Sequence, residues 1–339
     1  MSACKPDCMR EKSNNKGLDV LKLICAIAVM AIHSGLLCRF LYPWLYVAVP
    51  LFFLMSSYFF FQNKSRGLML FAKRIAVLYL AWFIVLLPVT FYVRLDRWSL
   101  AGWWGIVKSL LFGSTFPASW FFSALLICVA LVYVGRKVLA DGWLVLVSTP
   151  LFILTCFCTS YPSVFEQCLW LEKMKQILVQ CFGFPGTNFC AGLLWVAIGA
   201  YLANAGRKCL QTYMSWLWLA LIVGCVLLFA EWFIVMRAGN GGNNSGLFTL
   251  PIVVVPIFLL VRESDLKCNC TNEMRRFSII AYPLHYSIIL CTAGVLRLIG
   301  IADRIGFIRF AVGLTGCFIA YRLICVLENR GVKIVSYLH

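Results

Sequence analysis

Runs of about twenty apolar residues, cut by short polar breaks, recur along nearly the whole chain, and each can cross roughly 30 Å of hydrocarbon. Ten are predicted, over 18–38, 44–62, 72–93, 118–136, 142–159, 188–204, 213–236, 246–262, 277–298 and 306–328. In lipid every backbone N–H and C=O has to find its partner inside the element, so only helices or a closed barrel remain. Barrel strands would alternate apolar and polar residues, and these runs do not. The expected fold is all-α, a polytopic transmembrane helix bundle of about ten helices. Composition agrees, because 62% hydrophobic and 13% charged residues over 339 positions lie outside the range of soluble domains.

Three regions are predicted: a polar N-terminal tail (1–17) with no cleavable-signal pattern, a ten-helix domain (18–328) and a short C-terminal tail (329–339). Orientation follows from the basic residues, which tend to stay in the cytoplasm. With a cytoplasmic N-terminus, eighteen Lys and Arg fall on inner segments and ten on outer ones. Both termini are therefore expected in the cytoplasm. The net charge of +17 is read as this topology signal together with contact with anionic head groups. No long basic run or binding module points to nucleic acid.

Most of the seventeen cysteines sit inside apolar runs as small hydrophobes. Cys268 and Cys270 are too close to form a usual zinc ligand pair, so no metal site is expected. Cys168 and Cys181 share an expected outer loop, which leaves a disulfide open. The two long outer loops, 94–117 and 160–187, are rich in aromatic residues and suit either a lid or interfacial anchors. Asn243-Asn244-Ser245 is formally a glycosylation sequon.

Ionisable groups inside lipid are costly and usually functional. In the first run, Lys22 and His33 are eleven residues apart, about 16 Å along a helix and within roughly 20° of one face. Lys22 can snorkel to head groups. His33 lies past the midplane, as a packing group or a general base. Glu231 falls at a similar depth in the seventh run and is a candidate to orient His33 or stabilise its charged form, or else to pair with Arg39 or Arg237. Lys64, Arg66, Lys73 and Arg74 cluster at the inner junction of runs two and three, where with Lys22 they could receive a polyphosphate. No Walker or dinucleotide glycine motif is present.

Five segments then fall in a telling order: "LDVLKLICAIAVMAIHSG" with Asp19, Lys22 and His33, "VAVPLFFLMSSYFFFQ", "ASWFFSALLICVALVY", "NFCAGLLWVAIGAYL" and "RRFSIIAYPLHYSII". Together they resemble the integral-membrane acyltransferases of acyltransferase family 3, which include bacterial O-acetyltransferases acting on surface sugars. The resemblance implies acetyl-CoA or another acyl-CoA as cytoplasmic donor, and an outer hydroxyl of a glycan or glycolipid as acceptor. His33 would be the catalytic residue, aided by Glu231. Lys22, Lys73 and Arg74 would hold the donor, and Ser56, Ser57, Trp120, Asn188, Tyr282 and His285 would meet substrate. The location implied is the bacterial cytoplasmic membrane. Three positions depart from the family pattern: Lys22 where arginine is common, Ser57 in place of a glycine, and Thr187 where arginine is often found.

A membrane transporter or binding module for a small polar substrate such as an amino acid is the alternative, since buried charges also line transport pathways. The membrane portion of serine racemase-like resistance proteins is one form of it. The sequence leaves the acceptor, the acyl length and any homo-oligomer open.

Overall fold

The computed structural model describes residues 16–36, 39–63, 67–204, 213–238, 246–264, 266 and 268–339. The first fifteen residues, Lys64 and Arg66, and the sequon at 243–245 lie outside them. Fourteen α-helices follow one another among the described residues: α1 (Lys16–Ser34), α2 (Tyr42–Leu45), α3 (Ala48–Gln62), α4 (Leu68–Val85), α5 (Leu87–Phe112), α6 (Trp120–Gly135) and α7 (Asp141–Thr159), then α8 (Pro162–Glu166), α9 (Leu169–Phe182), α10 (Phe189–Asn204), α11 (Met214–Arg237), α12 (Leu250–Glu263), α13 (Thr271–Leu298) and α14 (Phe307–Asn329). No strand occurs among the described residues.

Each of the ten expected runs is helical, but they are not ten equal crossings. Among the described residues seven are long and apolar enough to span: α1, α2 with α3, α4, α7, α11, α13 and α14. An eighth is reached if the bent pair 169–187 and 189–204, turned by 55°, counts as one crossing. Helices α6 and α12 have only 16 and 14 residues. Pro117 and the left-handed backbone of Ala118 (φ 65°) keep α6 from starting earlier.

The expected loop 94–117 is largely helix. The chain breaks at Leu86, restarts with Pro88 in the first turn of α5, and stays helical to Phe112. The segment 160–187 likewise holds α8 and α9. Helix α9 buries no residue fully and leaves Trp170 and Ile177 exposed. Its C-terminal carbonyls are held by Lys108 of α5, whose amine donates to Val179 O at 2.8 Å and to Gln180 O, a cation at the negative end of a helix. Cys168 caps α9 while Cys181 lies near its far end, about 20 Å away by helical rise. That is well beyond disulfide reach, and both are free thiols.

Close approach of α3 and α10 explains the serine that stands in place of a glycine. Ser57 is fully buried and donates to Leu54 O at 3.0 Å. The glycine sits on the partner instead: a Cβ at Gly199 of α10 would come within 2.0 Å of Ser57 Oγ. Small residues on one helix let the other come near, the usual way to pack helices without a hydrophobic driving force.

The C-terminal segment is not a plain tail. A 3-10 turn over Lys333–Leu338 folds back on the bundle, and Trp82 of α4 donates to Leu338 O at 3.2 Å. Glu328 joins the same corner by pairing with Arg276 of α13 and with His339 at 3.5 Å.

Candidate active site

Two helices carry the site, and they run in the same direction. On α1, Lys22 lies eleven residues before His33; on α13, Arg275 lies ten residues before His285. Both intervals amount to about 15–16 Å of rise. The helices pack so that the charged ends meet and the histidines meet, which makes them parallel neighbours in register.

At the charged end, Asp19 is 3% exposed and accepts from Lys22 Nζ at 3.1 Å. Arg275 Nη1 stands 4.0 Å from its other oxygen. The Lys22 ammonium also lies 4.4 Å from the centre of the Phe59 ring. The charge of Arg74 on α4 reaches Lys22 as well. Two cations thus share a single buried carboxylate with the charge of Arg74 acting on Lys22 beside them, which leaves the cluster net positive. Lys73, the residue before Arg74 on α4, is exposed.

At the other end, the His33 ring stacks on Tyr286 at 4.3 Å between centroids and lies 5.3 Å from the ring of His285. His33 is partly exposed, whereas His285 is buried to 1%. His285 Nδ1 is 3.1 Å from Ala281 O. A carbonyl can only accept, so Nδ1 carries the proton and Nε2 keeps its lone pair. Above His33 the end of α1 is closed by Gly306, where φ is +68° and a Cβ would lie 2.4 Å from Ser34 O. Only glycine fits both that backbone and that contact.

Glu231 is not brought to His33. Its oxygens accept from Tyr161 Oη (2.6 Å), Phe248 N (2.7 Å), Thr249 N (2.9 Å) and Thr249 Oγ1 (2.5 Å). Those backbone donors open α12, so the carboxylate caps one helix from another and ties in the end of α7. Glu231→Ala is therefore expected to cost about 1–2 kcal/mol of stability, from the lost cap on α12 and from part-buried donors left without their carboxylate. Thermal unfolding checks this, and the folded fraction should keep the parent's activity per molecule.

The other residues expected to meet substrate divide in the same way. Asn188 is 2% exposed and its Oδ1 accepts from Cys190 N at 2.8 Å, the N-cap of α10, while its amide donates to the carbonyls of Phe182 and Gly183. Tyr282 donates to Ala118 O at 3.3 Å and packs among Phe52, Phe121 and Phe122. Its ring centre is still only 6.0 Å from His285. Trp120 packs on Phe53. No hydrogen bond to Ser56 appears among the described residues. Arg275 is what the sequence reading missed, having counted it only as a topology charge. The signal was available: a basic residue one helical span below a histidine, repeated late in the chain.

An apolar cleft of about 500 Å³ lies between the α4–α5 junction, α13 and α14, lined by Leu86, Leu284, Ser287 and Val312 among others. Neither histidine lines it.

Comparison with known families matches residues 15–327 to the model of an acyltransferase domain, the one expected from the five segments. The chain belongs to acyltransferase family 3. A membrane acyltransferase domain therefore fills nearly the whole sequence, and the paired helices lie wholly within the matched region. A more distant similarity joins the family member to an amino-acid racemase of Enterococcus faecalis, 21% identical over 217 residues, covering 59% of this chain and 30% of the racemase. The chain thus spans under a third of that relative. No solved structure matches.

Proposed function

We propose that this acyltransferase moves an acyl group, most simply acetyl, from cytoplasmic acyl-CoA to a hydroxyl of an extracytoplasmic glycan or glycolipid, in a bacterial cytoplasmic membrane. The observation that carries the reading is the paired arrangement of α1 and α13, with a net positive cluster about 15 Å below two touching histidines. Both termini and the Lys22 end face the cytoplasm in this reading, as the distribution of basic residues favours.

The chemistry follows from the two ends. Phosphates of CoA dock on Lys22, Arg74 and Arg275, with Lys73 at the rim, because several cations neutralise a polyphosphate well. The pantetheine arm rises along α1 and brings the thioester carbonyl to His33. His33 takes the proton of the acceptor hydroxyl as its oxygen attacks that carbonyl. The C–S bond breaks, and the departing CoA thiolate recovers the proton from His33. Attack by the ring itself, with a transient acyl-imidazole, is the variant.

Incubating the purified protein in proteoliposomes with acetyl-CoA labelled in the acetyl group and a surface-glycan preparation tests the reading. Label on the glycan with release of free CoA thiol is expected. Uptake of an amino acid without label transfer would favour the second reading, amino-acid supply, to which the similarity to a racemase gives its support.

Gly306→Val should disturb the same reaction from a distance. Its Cβ would displace Ser34 and Gly35, the residues directly after His33. Strain of about 1–3 kcal/mol and a transfer rate at least about tenfold lower are expected. Unfolding and rate measurements on the same preparation check both.

A further inference from the structure

We infer that His285 is the positioning residue for His33, its Nε2 lone pair accepting the hydrogen bond of the imidazolium that forms when His33 takes a proton. The inference rests on the acyl-transfer reading and gives it the partner that Glu231 does not supply.

The first ground is an unmet acceptor. His285 is 1% exposed, and its Nε2 has no hydrogen-bond partner among the described residues. A buried polar atom left alone is costly, so an orphan of this kind calls for an explanation. The second is its fixed identity. With Nδ1–H bound to Ala281 O in the preceding turn, the ring cannot offer Nε2 as a donor while neutral, so it waits as an acceptor. The third is place. The His33 ring lies 5.3 Å away between centroids at an interplanar angle of 39°, and rings at that spacing need only a small rotation to bring two nitrogens into contact. Tyr286, stacked on His33 at 4.3 Å between centroids, holds that ring against the stretch of α13 that carries His285.

The proton account closes. The acceptor hydroxyl gives its proton to one nitrogen of His33 as the C–O bond forms. The N–H on the other nitrogen then donates to His285 Nε2, which spreads the positive charge without itself being protonated. The thiolate of CoA takes the first proton as the C–S bond breaks, and His33 returns to neutral. A neutral acceptor here does what a carboxylate does in a charged triad, without burying a second charge at mid-membrane depth.

The test compares parent, His33→Ala, His285→Leu and His285→Gln proteins in proteoliposomes, reading kcat, the donor KM and the unfolding midpoint. Glutamine places an amide oxygen near the Nε2 position and leucine does not. Expected is a fall in kcat of about 100-fold for His285→Leu with donor KM within about twofold of parent, and recovery to within about tenfold for His285→Gln. A His285→Leu protein with parental kcat overturns the inference. So does a folded His285→Gln protein no faster than the leucine variant. If the parent transfers no acyl group, it is the acyl-transfer reading that fails, and ¹⁵N NMR then decides the pairing, since the chain has only three histidines. A His285 Nε2 resonance that moves in His33→Ala supports the pairing, and an unchanged one overturns it.

Discussion

His33→Ala protein is expected to lose acyl transfer by at least about 10³-fold while reaching the membrane at the parental level. The ring is the one ionisable group of α1 at that depth, and its ring neighbours, Tyr286 and His285, both belong to α13. Helix α1 is anchored elsewhere, by the buried Leu18, Cys25, Val29 and Met30. Removing the imidazole therefore takes away the proton acceptor without unseating the helix. The measurement is turnover of labelled donor normalised to folded protein. A His33→Ala protein within about tenfold of parent would remove the base from the mechanism.

Lys22→Ala is expected to raise the donor KM by about 10–100-fold and to leave kcat within a few-fold of parent, the mark of a group that binds ground and transition states alike. Asp19 does not become an orphan charge in this variant, because Arg275 stands 4.0 Å from it. The fold should survive for that reason. Lys22→Arg should bind at least as well as parent, since arginine can offer two parallel donors to one phosphate. Higher ionic strength should raise the donor KM of the parent and affect Lys22→Ala less. Steady-state kinetics over a salt series checks both points, and an unchanged KM in Lys22→Ala would place the phosphates elsewhere.

The positions of the apolar helices were legible because hydropathy is a local property, read residue by residue. Their lengths were less so. Residues 94–112 mix Arg94, Asp96, Arg97 and Trp98 with aliphatics and resemble a loop in composition, yet the proline-primed start of α5 carries the helix through them. The alignment of Lys22 with His33 needed only helical periodicity. The meeting of His33 with His285 could not be read the same way, as it joins residues 252 positions apart through the packing of α1 on α13. Glu231 shows the limit clearly. Its place in an apolar run points to a depth in the membrane, but depth does not set the direction a side chain takes around the bundle. In the fold it turns to the unsatisfied N–H groups of α12, which compete for a carboxylate more strongly than a distant ring.

In the proposed reading the donor reaches the Lys22 end of α1 and α13 from one face of the membrane and the acceptor reaches the histidines from the other. Sealed vesicles of the two orientations, right-side-out and inside-out, each given labelled acyl-CoA only in the external medium, test that reading most directly. Transfer should occur with inside-out vesicles, whose cytoplasmic face is exposed, and fall to background in intact right-side-out ones until they are permeabilised. Equal rates from both faces would contradict a donor site at the Lys22 end.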